Sequence, residues 1–112
     1  MRRVIIESPY AGDIVANVEY AKRCMRDCLK RGEAPYASHL LFTQEGILDD
    51  GVPEQRTLGI EAGLEWGAVA DAAVVYIDKG ITPGMMKGIE RHLRNHIPIE
   101  LRSLKVGQDD DF

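Results

Sequence analysis

Cysteine is scarce in this chain: there are two, Cys24 and Cys28, in 112 residues. Four apart on a helix, they share a face with Ala21, Met25 and Leu29, which reads as a small, reduced, buried pair. No His or Cys lies near them in sequence, so a zinc site lacks its further ligands and no metal is expected. Blocks of Lys and Arg are also missing, and the net charge is −4. An acidic surface repels phosphate backbones, which argues against general nucleic-acid binding but leaves room for a small anion in a local pocket. No apolar run approaches membrane-spanning length, and the N-terminus lacks the apolar core of a signal peptide. The expected setting is therefore the cytoplasm. A Ser-His-Asp order, a P-loop and a zinc pattern are absent as well, and no cofactor is expected.

What is present is an ordinary globular composition, with 45% hydrophobic and 29% charged residues. Residues 1–104 read as one α/β domain and 105–112 as an acidic, frayed tail. The apolar run Val4-Ile5-Ile6 predicts a first strand over Arg3 to Glu7. Ile14, Val15, Val18, Ala21, Met25, Cys28 and Leu29 then recur at helical spacing, with Asp13 as N-cap and Gly32 as a stop. A second strand is expected near Pro35 to Leu41, followed by a loop from Phe42 to Val52. Loops of that length are often functional or oligomer-forming. Pro53 opens a second helix to about Val69, in which Gly59 and Gly63 share a face and permit close approach of another backbone, within the subunit or across an interface. The continuous apolar stretch Ala72 to Ile77 reads as a strand covered on both faces. Thr82 caps a third helix with Pro83 at N1, and Ile97 to Leu101 forms the last strand.

This order predicts a three-layer, doubly wound, mainly parallel sheet of four or five strands with helices on both faces. Ligands in such sheets bind at the carboxyl ends of the strands, beside the point where strand order reverses. Two strand-to-helix loops fall there. The first is Glu7-Ser8-Pro9-Tyr10-Ala11-Gly12-Asp13, and the second runs from Asp78 through Ile81 and Thr82 to Gly84 and Met85. Amides at such turns carry partial positive charge and suit a phosphate. Glu7 and Asp78 end the first and third strands and are expected to converge on one cleft, with His39 near the end of the second. Tyr10 could stack on a base, while Ser8 and Thr82 could hold hydroxyls or phosphate. Either carboxylate could instead cap a neighbouring helix, and His39 could be a hydrogen-bonded structural residue. His92 and His96, four apart, could form a surface metal pair but read rather as surface residues interacting with a helix C-terminus; Glu61 and Glu65 read as a solvated face, although one could reach the cleft if that helix flanks it.

These residues resemble the nucleoside 2-deoxyribosyltransferase-like superfamily, and within it a small phage- and bacterium-associated branch. The resemblance is carried by Ser8-Pro9-Tyr10-Ala11-Gly12, by Ala37-Ser38-His39-Leu40-Leu41, and by the run from Ala70-Asp71 through Val74-Val75-Tyr76-Ile77-Asp78 to Gly84-Met85. It implies a doubly wound domain that binds a nucleoside or nucleotide, and a homo-oligomer in which a neighbouring subunit completes the site. It also implies a catalytic glutamate in the helix after the third strand, where Gly84-Met85-Met86-Lys87-Gly88 places Met86 at the expected nucleophile. A thioether cannot form a ribosyl-carboxylate ester, and Glu90 lies about one turn (roughly 5 Å) further along. The ligand-holding residues expected are Ser8, Pro9, Tyr10, Ala11, Gly12, His39, Asp78, Ile81, Thr82, Gly84 and Met85. The expected function is nucleotide or nucleoside capture without catalysis. The alternative is N-glycosidase or deoxyribosyltransferase chemistry on a relocated carboxylate, Glu7 or Asp78.

Overall fold

The computed structural model describes residues 1–104; the acidic tail expected at 105–112 lies outside the described residues. The chain runs β1 (Arg3–Glu7), α1 (Ile14–Lys30), β2 (Ala34–Tyr36), α2 (Ser38–Leu41), α3 (Pro53–Gly67), β3 (Ala72–Tyr76), α4 (Pro83–Arg94) and β4 (Ile99–Arg102). Among the described residues all four strands are parallel and lie in the order β2-β1-β3-β4. The chain leaves the central pair in opposite directions, through α1 toward β2 and through α4 toward β4. That divergence is the crevice at which open α/β sheets bind ligands.

Side-chain alternation along the two central strands divides the core into two layers. Val4, Ile6, Ala72, Val74 and Tyr76 pack on Tyr20, Cys24 and Cys28 of α1. Ile5 and Ala73 pack instead with Ile97, and Val75 with Met85 and Ile89 of α4. Every residue of β3 is buried, as a strand covered on both faces requires. Cys24 and Cys28 are free and buried, and burial pushes both thiols up from their ordinary value, so they serve as small apolar packing atoms. No helix among the described residues is long and apolar enough to cross a membrane.

One element differs from expectation. The second strand stops at Tyr36, and Ser38–Leu41 turns into a short helix rather than continuing the sheet. β2 is an edge strand, so its extension has only β1 to pair with, and β1 supplies partners only for Ala34, Pro35 and Tyr36. Beyond them, the Leu40 and Leu41 amides bond back to the Ala37 carbonyl, 3.0 and 3.2 Å away. The Thr43 hydroxyl and Gln44 amide then close on the His39 and Leu40 carbonyls at 2.5 and 2.7 Å. Gly63 makes room for this turn: a Cβ there would meet the Ser38 side chain at 2.6 Å. The Gly59/Gly63 face is thus used within the subunit.

β4 is anchored by a buried polar network on the α1 face. The Arg102 guanidinium donates to both Glu33 carboxylate oxygens at 2.7 Å and to Glu100 at 3.1 Å, with side chains of Arg102 and Glu33 only 6% and 9% exposed. Tyr76 donates to Asp27 at 2.7 Å beside it. The hydrogen bonds from Arg102 hold the Glu33 carboxyl below the usual carboxylate range despite its burial. Removing one partner of such a pair leaves a buried charge uncompensated. Arg102→Met is expected to lower stability by about 3 kcal/mol, read as a reduced urea midpoint at unchanged m. A midpoint within experimental scatter of wild type would contradict this account.

Candidate functional site

A cleft of about 610 Å³ opens at the carboxyl edge of the sheet, between the β1–α1 loop, α2, α3 and the amino end of α4. Volumes of this size accommodate a nucleoside-sized molecule. The β1–α1 loop is held from below by Asn17, whose amide donates to the Tyr10 and Ala11 carbonyls at 2.9 and 3.1 Å. Gly12, with φ of 100°, supplies the left-handed turn that brings the chain back to α1. The Asp13 carboxylate then caps α1 by accepting from the Ala16 amide at 3.2 Å.

The amino end of α4 forms another wall. Thr82 caps it by accepting from the Met85 amide at 3.2 Å, Pro83 stands in the first turn, and no acid occupies that turn. Its partial positive charge therefore stays unneutralised from within the helix. Arg56 of α3 and Lys87 of α4 add two cations to the lining; Arg56 is shared with Asp50 at 3.6 Å.

Of the residues expected from sequence, Glu7, Ser8, Tyr10, Ala11, Gly12, His39, Thr82, Gly84 and Met85 line the cleft. The buried Ser8 hydroxyl lies 2.8 Å from His39 Nε2, and the Tyr10 ring meets the His39 ring edge-on with centroids 6.1 Å apart. Burial pushes the His39 imidazole down to about 4, which keeps the ring neutral and able to share one proton with Ser8.

Asp78, Pro9 and Ile81 do not line the cleft. Asp78 follows Val74 and Tyr76 in the strand alternation, which turns it to the α1 face, whereas Glu7 follows Ile5 to the α3/α4 face. Its carboxylate accepts from the Tyr20 hydroxyl at 2.5 Å and from the Leu104 amide at 3.1 Å. Burial alone would raise the Asp78 carboxyl, but these hydrogen bonds outweigh it and hold the group below the usual range. Pro9 is buried within the loop, and Ile81 is exposed and outside the lining. On α4, Met86 points outward at 44% exposure, while Met85, Lys87 and Gly88 line the cleft.

Sequence reasoning did not anticipate two contributions. α3 does flank the cleft, giving Gln55, Arg56, Gly59, Ile60, Gly63 and Leu64 to the lining rather than Glu61 or Glu65. His92 is not a surface residue: it is fully buried and its Nε2 lies 2.7 Å from Glu7 Oε2. Its spacing from Met85 and Ile89 on the buried stripe of α4 carried that information. His96 adopts a left-handed backbone, φ of 58°, at the end of the helix.

A family model described as a domain of unknown function (DUF7768) matches residues 2–102. No curated protein matches the chain. A solved structure of a 2-deoxyribosyltransferase from the psychrotolerant bacterium Bacillus psychrosaccharolyticus superposes with a TM-score of 0.62 at 20% identity, over 96% of this chain and 75% of that one. At that identity the likeness is one of fold.

The His39 shift has a consequence for acid stability. Its folded value is depressed from 6.5 to about 4, so the unfolded chain binds the proton more readily, and stability falls as pH drops through that interval. The partly exposed ring discounts the effect to on the order of 2 kcal/mol. Urea denaturation at pH 7 and pH 4.5 should show this loss, and His39→Gln should flatten it. An equal pH dependence in the variant would exclude His39 as its source.

Proposed function

The chain belongs to the family described as a domain of unknown function (DUF7768), and from that premise we propose that its cleft captures a nucleoside or nucleotide. The observation that carries this reading is the junction of two walls on one cavity. An Asn17-pinned loop offers Tyr10, Ser8 and backbone groups, while a helix amino end with Arg56 and Lys87 offers an anion site. The shared fold with a 2-deoxyribosyltransferase supports a ligand of nucleoside type.

Capture without turnover is the first form of this reading. The α4 residues that line the cleft, including Met85, Lys87 and Gly88, carry no carboxylate, and Met86 lies outside it. Such a protein would hold a nucleotide or nucleotide-derived signal, including sequestration of the phage type, in a cytoplasmic setting. The net charge of −4 disfavours nucleic-acid polymers as partners. Association of copies, with a neighbouring subunit closing the cleft, belongs to the same reading; sedimentation gives the state directly. The second form is cleavage of a glycosidic bond, favoured by the carboxylate of Glu7 in the lining. Asp78, on the other face, has no part in it.

A thermal-shift screen of nucleosides and nucleoside 5′-monophosphates, followed by mass spectrometry of the recovered ligand, tests both forms. At a hundredfold excess over Kd, a bound ligand should raise Tm by on the order of 10 °C. Recovery of the intact ligand supports capture; free base that disappears in Glu7→Gln supports cleavage. No rise with any nucleoside or nucleotide would refute the proposal.

A further inference from the structure

Two helices have given up side chains to accommodate one acid–imidazole pair. Glu7 ends β1 on the α3/α4 face, and its Oε2 lies 2.7 Å from Nε2 of the fully buried His92. A Cβ at Gly88 of α4 would fall 2.6 Å from Glu7 Oε2 and 2.8 Å from Oε1. A Cβ at Gly67 of α3 would fall 2.9 Å from His92 Cε1. At either position a Cβ would displace the pair from where it stands, so the two glycines leave the room in which Glu7 and His92 meet.

The proton can be assigned from the surroundings. Among the described residues, His92 Nδ1 is buried without a hydrogen-bond partner. A proton placed there would bury an unpaired N–H, whereas a proton on Nε2 is shared with Glu7. The less costly arrangement has His92 donating through Nε2 to Oε2. Glu7 Oε2 is then held as the acceptor of that bond, with Oε1 left for the cleft that the residue lines, its side chain 16% exposed. A carboxylate in that position repels a phosphate and selects a donor group. The anion site at the α4 amino end, with Lys87 and Arg56, complements it.

We propose that Glu7 is the specificity-determining residue of the cleft, accepting a hydrogen bond from a neutral hydroxyl or amino group of the ligand, and that His92 is its positioning residue. This rests on the nucleoside reading above. It gives the bound molecule a direction: donor group at Glu7, anionic end at α4. A sugar hydroxyl and a base amino group both satisfy the chemistry.

The test is titration calorimetry with the four ribonucleoside 5′-monophosphates and their 2′-deoxy and 2′,3′-dideoxy counterparts. Inosine, purine-riboside and uridine monophosphates serve as the forms lacking the base amino group. In the wild type, loss of the recognised donor should weaken binding about tenfold or more, in the hydroxyl arm or in the amino arm. Glu7→Gln turns its carboxamide oxygen to His92 and its NH2 to the cleft, so this discrimination should fall toward one. His92→Gln, which keeps a donor for Glu7, should retain the discrimination, while His92→Leu should lose it. A merely structural His92 would weaken all ligands by a common factor and leave the ratio unchanged, which overturns its role. An unchanged donor preference in Glu7→Gln overturns the role of Glu7 while the nucleotide reading stands. Absence of binding by every nucleotide in the wild type brings down the nucleotide reading and this inference together.

Discussion

The pairing of β1 with β3 at the centre of a sheet covered on both faces governs the rest of this molecule. The register Ile6 to Val74 and Glu7 to Val75 fixes which side chains face α1 and which face α3 and α4. Because the side-chain period of a strand is two, a shift of one residue would exchange the layers entirely. With both faces buried, such a shift would bring the polar ends of the strands into the core. The same alternation sends Glu7 into the cleft and turns Asp78 toward Tyr20. Two acids that look equivalent in the sequence are thus separated by parity.

Glycine supplies the complementary constraint. At Gly63, Gly67 and Gly88 the missing Cβ is occupied by Ser38, His92 with Ile5, and Glu7 respectively. Each position trades helix propensity, roughly 1 kcal/mol against alanine, for close approach of a neighbouring element. The cleft and its acid–imidazole pair therefore depend on helix packing as much as on the residues that line them. The polar network of Arg102, Glu33, Asp27 and Tyr76 does the corresponding work on the opposite face, fixing β4 to α1.

The strand and helix order was legible from period and caps: Asp13 and Thr82 cap α1 and α4 as expected, and Pro53 and Pro83 open their helices. Much of the cleft was legible too, since Ser8, Tyr10, His39, Thr82 and Met85 follow from the loops that end parallel strands. The short α2 was not, because Ala37 to Leu41 is apolar enough for a strand and only the lack of a partner ends it. His92 was read as surface because it ends a helix, although its spacing from Met85 and Ile89 placed it on the buried stripe. The α3 wall was hidden by a helix apolar on more than one side, with Leu58 and Trp66 exposed while Ile60 and Leu64 line the cleft.

By itself the sequence determined the fold class and the two loops that frame a site, because hydrophobic period, caps and turns are local properties of the chain. Only the tertiary structure decided which carboxylate belongs to the cleft, that Met86 lies outside it, and that His92 meets Glu7 across 85 positions. Those outcomes depend on strand register and on the space left where two helices cross the sheet. Neither is a property of any short segment, because each arises only when distant segments exclude one another's volume.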